Sequence, residues 1–260
     1  MTEELRIVWA LFDSETATVA KALPECEVYS FGKGSGTEHI DLDLSDFETA
    51  KKVLDTYPKP DVIFASPPCE SWVGVSKGNI QLYTTEKGLN FHWKSKFVPF
   101  DFNEKAKKIR INGCNTALTL ARIIQHYKPK FWAIENGTQS IIFSYLYKVA
   151  NLDGIKNICN YFSYGFDLYK PTVIYSNMRL FLKNKRPDFS KIKRVISRRT
   201  TKENIRYKAN GIKAINNYKD RSLVPAELYR DIMRQFRNSG QPVLFSNSDF
   251  KAKEATNDIP

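Results

Sequence analysis

Very little in this chain of 260 residues is set up for metals, disulfides or membranes. Its four cysteines, Cys26, Cys69, Cys114 and Cys159, stand far apart, so neither a disulfide framework nor a zinc site is suggested, and at least one thiol is available as a reagent. His39, His92 and His126 show no ligand spacing and read as surface or packing residues, so no metal is expected. No window approaches the roughly 18 apolar residues that a membrane span needs. The start, MTEELRIVWALF, carries two glutamates before a short apolar run, the wrong order for a secretory signal. The expectation is a cytoplasmic protein with no membrane association. Acidic residues are scarce as well: 40 Lys and Arg stand against 28 Asp and Glu, a net charge of +12. That excess implies an acidic partner, nucleic acid or an anionic surface, and charge alone does not choose between them.

What is present alternates strand and helix. LRIVWALF reads as a buried strand, Thr18 to Leu23 as a short helix, and ECEVYSF as a second strand ending in GKGSGT. A short strand at HIDLDL and a helix over Asp46 to Thr56, capped by Ser45, come next. PDVIFAS is a fourth strand. The stretch 76–104 reads as a long aromatic loop, Ile111 to Tyr127 as a helix ended by Lys128-Pro129, and KFWAIENG as a fifth strand. This order predicts an α/β fold, Rossmann-like, with a mostly parallel sheet. With 42% hydrophobic residues, the chain can bury one good core and a minor lobe. The expected division is a catalytic domain over 1–182, a basic segment over 183–221, a helix over 222–238 that returns to the catalytic domain, and a disordered tail over 239–260. The basic segment holds fourteen Lys and Arg against three acids, nearly all of the excess charge.

The strongest chemical cue is ASPPCESW. A strand that stops on Pro67-Pro68 must turn, so Cys69 is presented at the carboxyl edge of the sheet, where open α/β folds bind ligands. A cysteine there is a candidate nucleophile, the competing reading being a small packed thiol. IENG, one strand later, brings Glu135 to the same edge if the two strands are neighbours. A partly desolvated glutamate can hold or deliver a proton, although capping a nearby turn would explain it equally well. Trp72 and Trp93 flank the 76–104 stretch and suit either base stacking or packing. Gly32, Gly34 and Gly36 lack the strand-loop-helix context of a dinucleotide loop and read as a flexible turn.

Strand plus PPC, followed by strand plus EN, resembles the two core motifs of cytosine-C5 DNA methyltransferases. LFDSETATVAKAL resembles a distorted form of that family's cofactor loop. SYGFDLYKPTVIYSN and RSLVPAEL look like features of its short bacteriophage-type members, so the similarity covers most of residues 5–236. The resemblance implies methyl transfer from S-adenosyl-L-methionine to C5 of a cytosine flipped out of double-stranded DNA. In that scheme Cys69 adds to C6, Glu135 with Asn136 binds the base at N3, and Pro67 and Pro68 shape the loop. Phe12, Ser14, Thr16, Asp43 and Pro67 would line the cofactor site. Ser71, Lys170, Arg194, Arg198, Arg199, Lys202 and Arg206 would meet nucleic acid, in a protein expected to act as a monomer.

The departures from the family pattern lie on the cofactor side. FDSETATV has none of the glycines that let the backbone approach the cofactor, and Gly32 stands where the family places an acid for the ribose. Three other readings follow: a degenerate member that binds DNA or a host protein without transferring methyl groups, an RNA cytosine methyltransferase, and an enzyme that keeps the cysteine addition step but transfers another group.

Overall fold

The computed structural model describes residues 7–13, 17–34, 39–72, 104–185 and 223–239, with strands also placed at 81–85, 88–93, 96–99, 194–196 and 213–215. Ser14, Thr16, Arg198, Arg199, Lys202 and Arg206 lie outside the described residues, and Arg194 is described only as part of a strand.

Strand β1 (Ile7–Leu11) is apolar at every position because both of its faces are covered. It pairs in parallel with β2 (Glu27–Gly32) and with β4 (Val62–Ala65). β2 continues in parallel to β3 (Ile40–Asp41), and β4 to β8 (Phe131–Gly137). β11 (Pro171–Ser176) is inserted antiparallel between β8 and β9 (Ile155–Asn160). The order is therefore β3-β2-β1-β4-β8-β11-β9. This is a Rossmann-like α/β sheet, mostly parallel, and its strand order reverses between β1 and β4, the crevice where such folds place ligands.

Alternation along the strands sends residues to two apolar clusters. Trp9, Leu11, Ile63, Trp132 and Ile134 face one side. There they pack under α2 (Phe47–Leu54), α3 (Glu104–Tyr127) and α4 (Ile142–Lys148). Val8, Ala10, Val62, Phe64, Phe131 and Ala133 face the other, beneath α1 (Thr18–Ala22), a 3-10 turn at Tyr161–Tyr164 and α5 (Ala226–Asn238). Each large side chain buried this way contributes about 1.5–3 kcal/mol against its exposed state. Arg237 of α5 reaches Glu25 at 2.9 Å, and Arg230 donates to the Ala22 carbonyl at 3.1 Å, so the last described helix is fastened to the first.

Three local expectations change. The cap of α2 is Asp46, whose carboxylate accepts from the Thr49 amide at 2.8 Å, while Ser45 donates its own amide to Asp43. Helix α3 begins at Glu104 rather than Ile111. The stretch expected as a loop contains β5 (Gln81–Thr85), β6 (Gly88–Trp93) and β7 (Lys96–Pro99), an antiparallel sheet of three strands. Its residues LYTT, LNFHW and KFV are β-branched and aromatic, a composition suited to strands.

Candidate active site

β4 and β8 are parallel neighbours with Ala65 opposite Ile134. Position 66 therefore faces Glu135, and both motifs leave the sheet at the same carboxyl edge. The turn after β4 is fastened at each end. The Ser66 amide donates to the Leu11 carbonyl at 3.1 Å, the Asn136 amide group donates to the Pro67 carbonyl at 3.0 Å, and the Ile141 amide donates to the Trp72 carbonyl at 3.1 Å. Trp72 also donates its amide to the Cys69 carbonyl at 3.0 Å, closing a tight turn over residues 69–72. Within this fixed frame Cys69 is exposed.

The other cysteines are placed differently. Cys159 is fully buried, and burial together with the nearby Glu135 charge pushes its thiol up to about 12. Burial also raises Cys26, with Arg237 acting in the opposite direction. Cys114 lies half-buried in helix α3.

Glu135 is 9% exposed. The Tyr161 hydroxyl donates to its Oε1 at 2.8 Å, and Lys170 Nζ lies 3.3 Å from the same oxygen and 4.7 Å from the centre of the Tyr161 ring. Burial holds the Tyr161 phenol far above its ordinary range, so it remains a donor. Both partners use Oε1, and among the described residues Oε2 has no hydrogen-bond partner. Lys170, expected at the nucleic-acid surface, is instead packed beside Glu135 with little exposure. Sequence reasoning missed Tyr161. Its signal was the polar-aromatic cluster NYFSY after β9, which also reads as ordinary packing.

Asn136 is 1% exposed and serves as the strut between β8 and Pro67. Ser71, expected to meet nucleic acid, is 4% exposed, and its hydroxyl donates to the Ile109 carbonyl at 2.6 Å beneath the turn. A cleft of about 240 Å³ beside the turn is lined by Pro68, Glu70, Ser71, Lys108, Ile109 and Asn112. Neither Cys69 nor Glu135 lines it, so the chemistry of the edge does not depend on that cleft.

Phe12 is half-buried at the end of β1, with φ 56, so it makes in the left-handed region the turn that a glycine would make more easily. At Gly32 a Cβ would lie 3.0 Å from the Asp13 carbonyl oxygen and 3.2 Å from His39 Cε1, closer than ordinary side-chain contacts. His39 fills that place, with Nε2 2.9 Å from the Gly32 carbonyl oxygen and Nδ1 3.3 Å from the Ser30 hydroxyl. Asp43 is exposed and paired with Lys33 at 2.8 Å. Partial burial pushes its carboxyl up, but hydrogen bonds from Lys33 and Ser45 outweigh this and hold it below the ordinary range. The expected cofactor residues thus offer an aromatic ring and a carboxylate paired with Lys33, whereas position 32 carries no acid.

The basic segment is tied to the same edge. After β11 the chain returns along β9: the Lys183 carbonyl accepts from the Asn160 amide at 3.3 Å, and the Lys185 amide donates to Ser163 at 3.0 Å. β10 (Leu168–Tyr169), immediately before Lys170, pairs in parallel with β12 (Arg194–Ile196), and β12 with β13 (Lys213–Ile215). Among the described residues no helix is long and apolar enough to cross a membrane, and no group of three His, Cys, Asp or Glu could hold a metal ion.

No family model and no curated protein matches the chain. Among solved structures it is similar to a DNA modification methyltransferase encoded within an E. coli prophage, at 16% identity and a TM-score of 0.38, over 66% of this chain and 46% of that one. It is similar to the Entamoeba histolytica methyltransferase EhMeth at 14% identity and 0.43, over 77% and 62%. A third likeness is to the S. pombe Dnmt2 methyltransferase, at 13% identity and 0.38, over 67% and 49%. The chain thus spans between 46% and 62% of the length of these structures. The chemistry of the site rests on its own geometry.

Proposed function

We propose that the chain is a cytosine-C5 methyltransferase acting on DNA, with Cys69 as its nucleophile. The observation that carries this reading is the fastening of the Cys69 turn to the neighbouring strand through Asn136, beside a glutamate whose Oε1 is anchored and whose Oε2 is not. A flipped-out cytosine entering the edge would meet Cys69 Sγ at C6, with N3 turned to Glu135 Oε2. The thiolate forms the S–C6 bond, the C5–C6 pair moves toward N3, and Glu135 shares a proton there. C5 becomes nucleophilic. S-adenosylmethionine, when bound, supplies an electrophilic methyl group. Loss of the C5 proton to solvent, return of the N3 proton to Glu135 and departure of the Cys69 thiolate then restore the ring. Tyr161 and Lys170 hold the glutamate in place throughout.

Phe12 would line the adenosine and Asp43 would receive the adenine amino group, which requires its ion pair with Lys33 to open. The basic strands, attached to β10 beside Lys170, would hold the phosphate backbone. Arg194 pairs with Leu168, two residues before the lysine that touches Glu135.

A second reading, binding without methyl transfer, is favoured by the missing acid at position 32 and the closed Lys33–Asp43 pair. Duplex and RNA oligonucleotides carrying 5-fluorocytosine separate the two readings, because fluorine at C5 blocks the final elimination and traps the adduct. The expected result is a covalent complex with duplex DNA in the presence of S-adenosylmethionine, lost in Cys69→Ser. Oligonucleotide binding without an adduct supports the second reading, and an adduct only with RNA moves the substrate to that polymer.

A further inference from the structure

Helix α3 carries a single glycine, and it stands against the Cys69 turn. Glycine in a helix interior is a poorer choice than alanine, so its presence there calls for a reason such as close approach. At Gly113 a Cβ would lie 2.3 Å from Ser71 Cβ and 2.2 Å from Ser71 Oγ. That hydroxyl donates to the Ile109 carbonyl one turn earlier at 2.6 Å, and Ser71 is buried. The side chain of Ser71 therefore sits in a slot that exists because position 113 has no side chain.

We infer that Gly113 is a positioning residue: the slot seats Ser71 and thereby sets where Cys69 stands. The inference rests on Cys69 being the nucleophile only for its functional meaning. The coupling is short, because residues 69–72 form one turn closed by the Trp72 amide on the Cys69 carbonyl. The turn has little freedom to slide sideways. Trp72 is held by Ile141 at its carbonyl, and the Arg110 guanidinium lies 4.5 Å from the centre of its ring. Ser71 Cβ is also bound directly to the backbone and cannot rotate out of the way. Ordinary carbon contacts begin near 3.5 Å, so a methyl group at position 113 displaces the turn by roughly 1 Å. An error of that size at a reacting atom costs on the order of 100-fold in rate.

The test is Gly113→Ala, alone and with Ser71→Gly, which removes both atoms in the way. Single-turnover adduct formation on the 5-fluorocytosine duplex should fall by about 100-fold in Gly113→Ala at temperatures well below its Tm. Adding Ser71→Gly should recover on the order of tenfold, the coupling expected of two residues in direct contact. A second readout needs no methyl transfer: alkylation of Cys69 by iodoacetamide across a pH series, followed by peptide mass analysis with Cys26 as the internal standard. Its profile should change in Gly113→Ala and return in the double variant. Wild-type adduct rates in Gly113→Ala overturn the inference, as does a loss that Ser71→Gly leaves untouched. If the wild type forms no adduct while the alkylation profile shifts and returns, the seat stands and the methyltransferase reading falls. An alkylation profile indifferent to position 113 removes the seat as well.

Discussion

The division of labour on Glu135 is the sharpest feature at the scale of single residues. Tyr161 and Lys170 both meet Oε1, which leaves the second oxygen as the one that would meet the base in the proposed reaction. Glu135→Gln keeps the shape but removes the proton-sharing oxygen. It should lower methyl transfer by about 10²–10⁴-fold, the range of general acid–base catalysis, while leaving DNA affinity near that of the parent protein. Quench-flow rates beside equilibrium binding check this, and unchanged rates would remove Glu135 from the chemistry. The placement of Cys69 and Glu135 at one sheet edge was legible in the sequence because each follows an apolar run, VIFA or FWAI, and the carboxyl end of such a run fixes a place in an open sheet. Tyr161, Ser71 and Gly113 were not legible in these roles, because each gains its meaning from a partner far along the chain. Ser71 in particular was expected to meet nucleic acid, since a serine beside a nucleophile offers the same hydroxyl to a ligand or to a helix.

At the scale of elements, the parallel pairing of β4 with β8 makes two separate motifs one site, and Asn136 is the cross-brace. Asn136→Ala leaves the Pro67 carbonyl without this donor in a buried setting, a loss of about 1–3 kcal/mol in stability. Denaturant titration should show a lower midpoint with an unchanged slope, and a midpoint equal to the parent's would refute the brace. The strands of the core were readable from their apolar runs. The beginning of α3 was less so: KAKKIR is too polar to show a period, and the helix there continues from its apolar part. The small sheet over 81–99 escaped for the opposite reason, since short polar-aromatic strands resemble loops until their partners are known.

Over the whole molecule, nearly all of the excess positive charge lies in one sector of the sequence, residues 183–221, whose strands β12 and β13 join β10 just before Lys170. Phosphate neutralisation by that sector predicts steep salt dependence. With about six phosphate contacts, duplex affinity should fall on the order of 10³-fold between about 50 and 200 mM salt. Lys170→Ala should leave that slope unchanged, because its amine lies against Glu135 inside the fold. Fluorescence anisotropy across a salt series reads both, and a flat response would exclude the basic sector as a polyanion contact. The fastening of α5 to α1 has another consequence, for the order of events at the ribosome. One side of β1, β4 and β8 is roofed largely by Leu228, Tyr229, Ile232, Met233 and Phe236. Strands that leave the exit tunnel early must therefore wait, greasy side bare, until residues 226–238 have been translated. A nascent chain stalled short of that helix would be client material for chaperones.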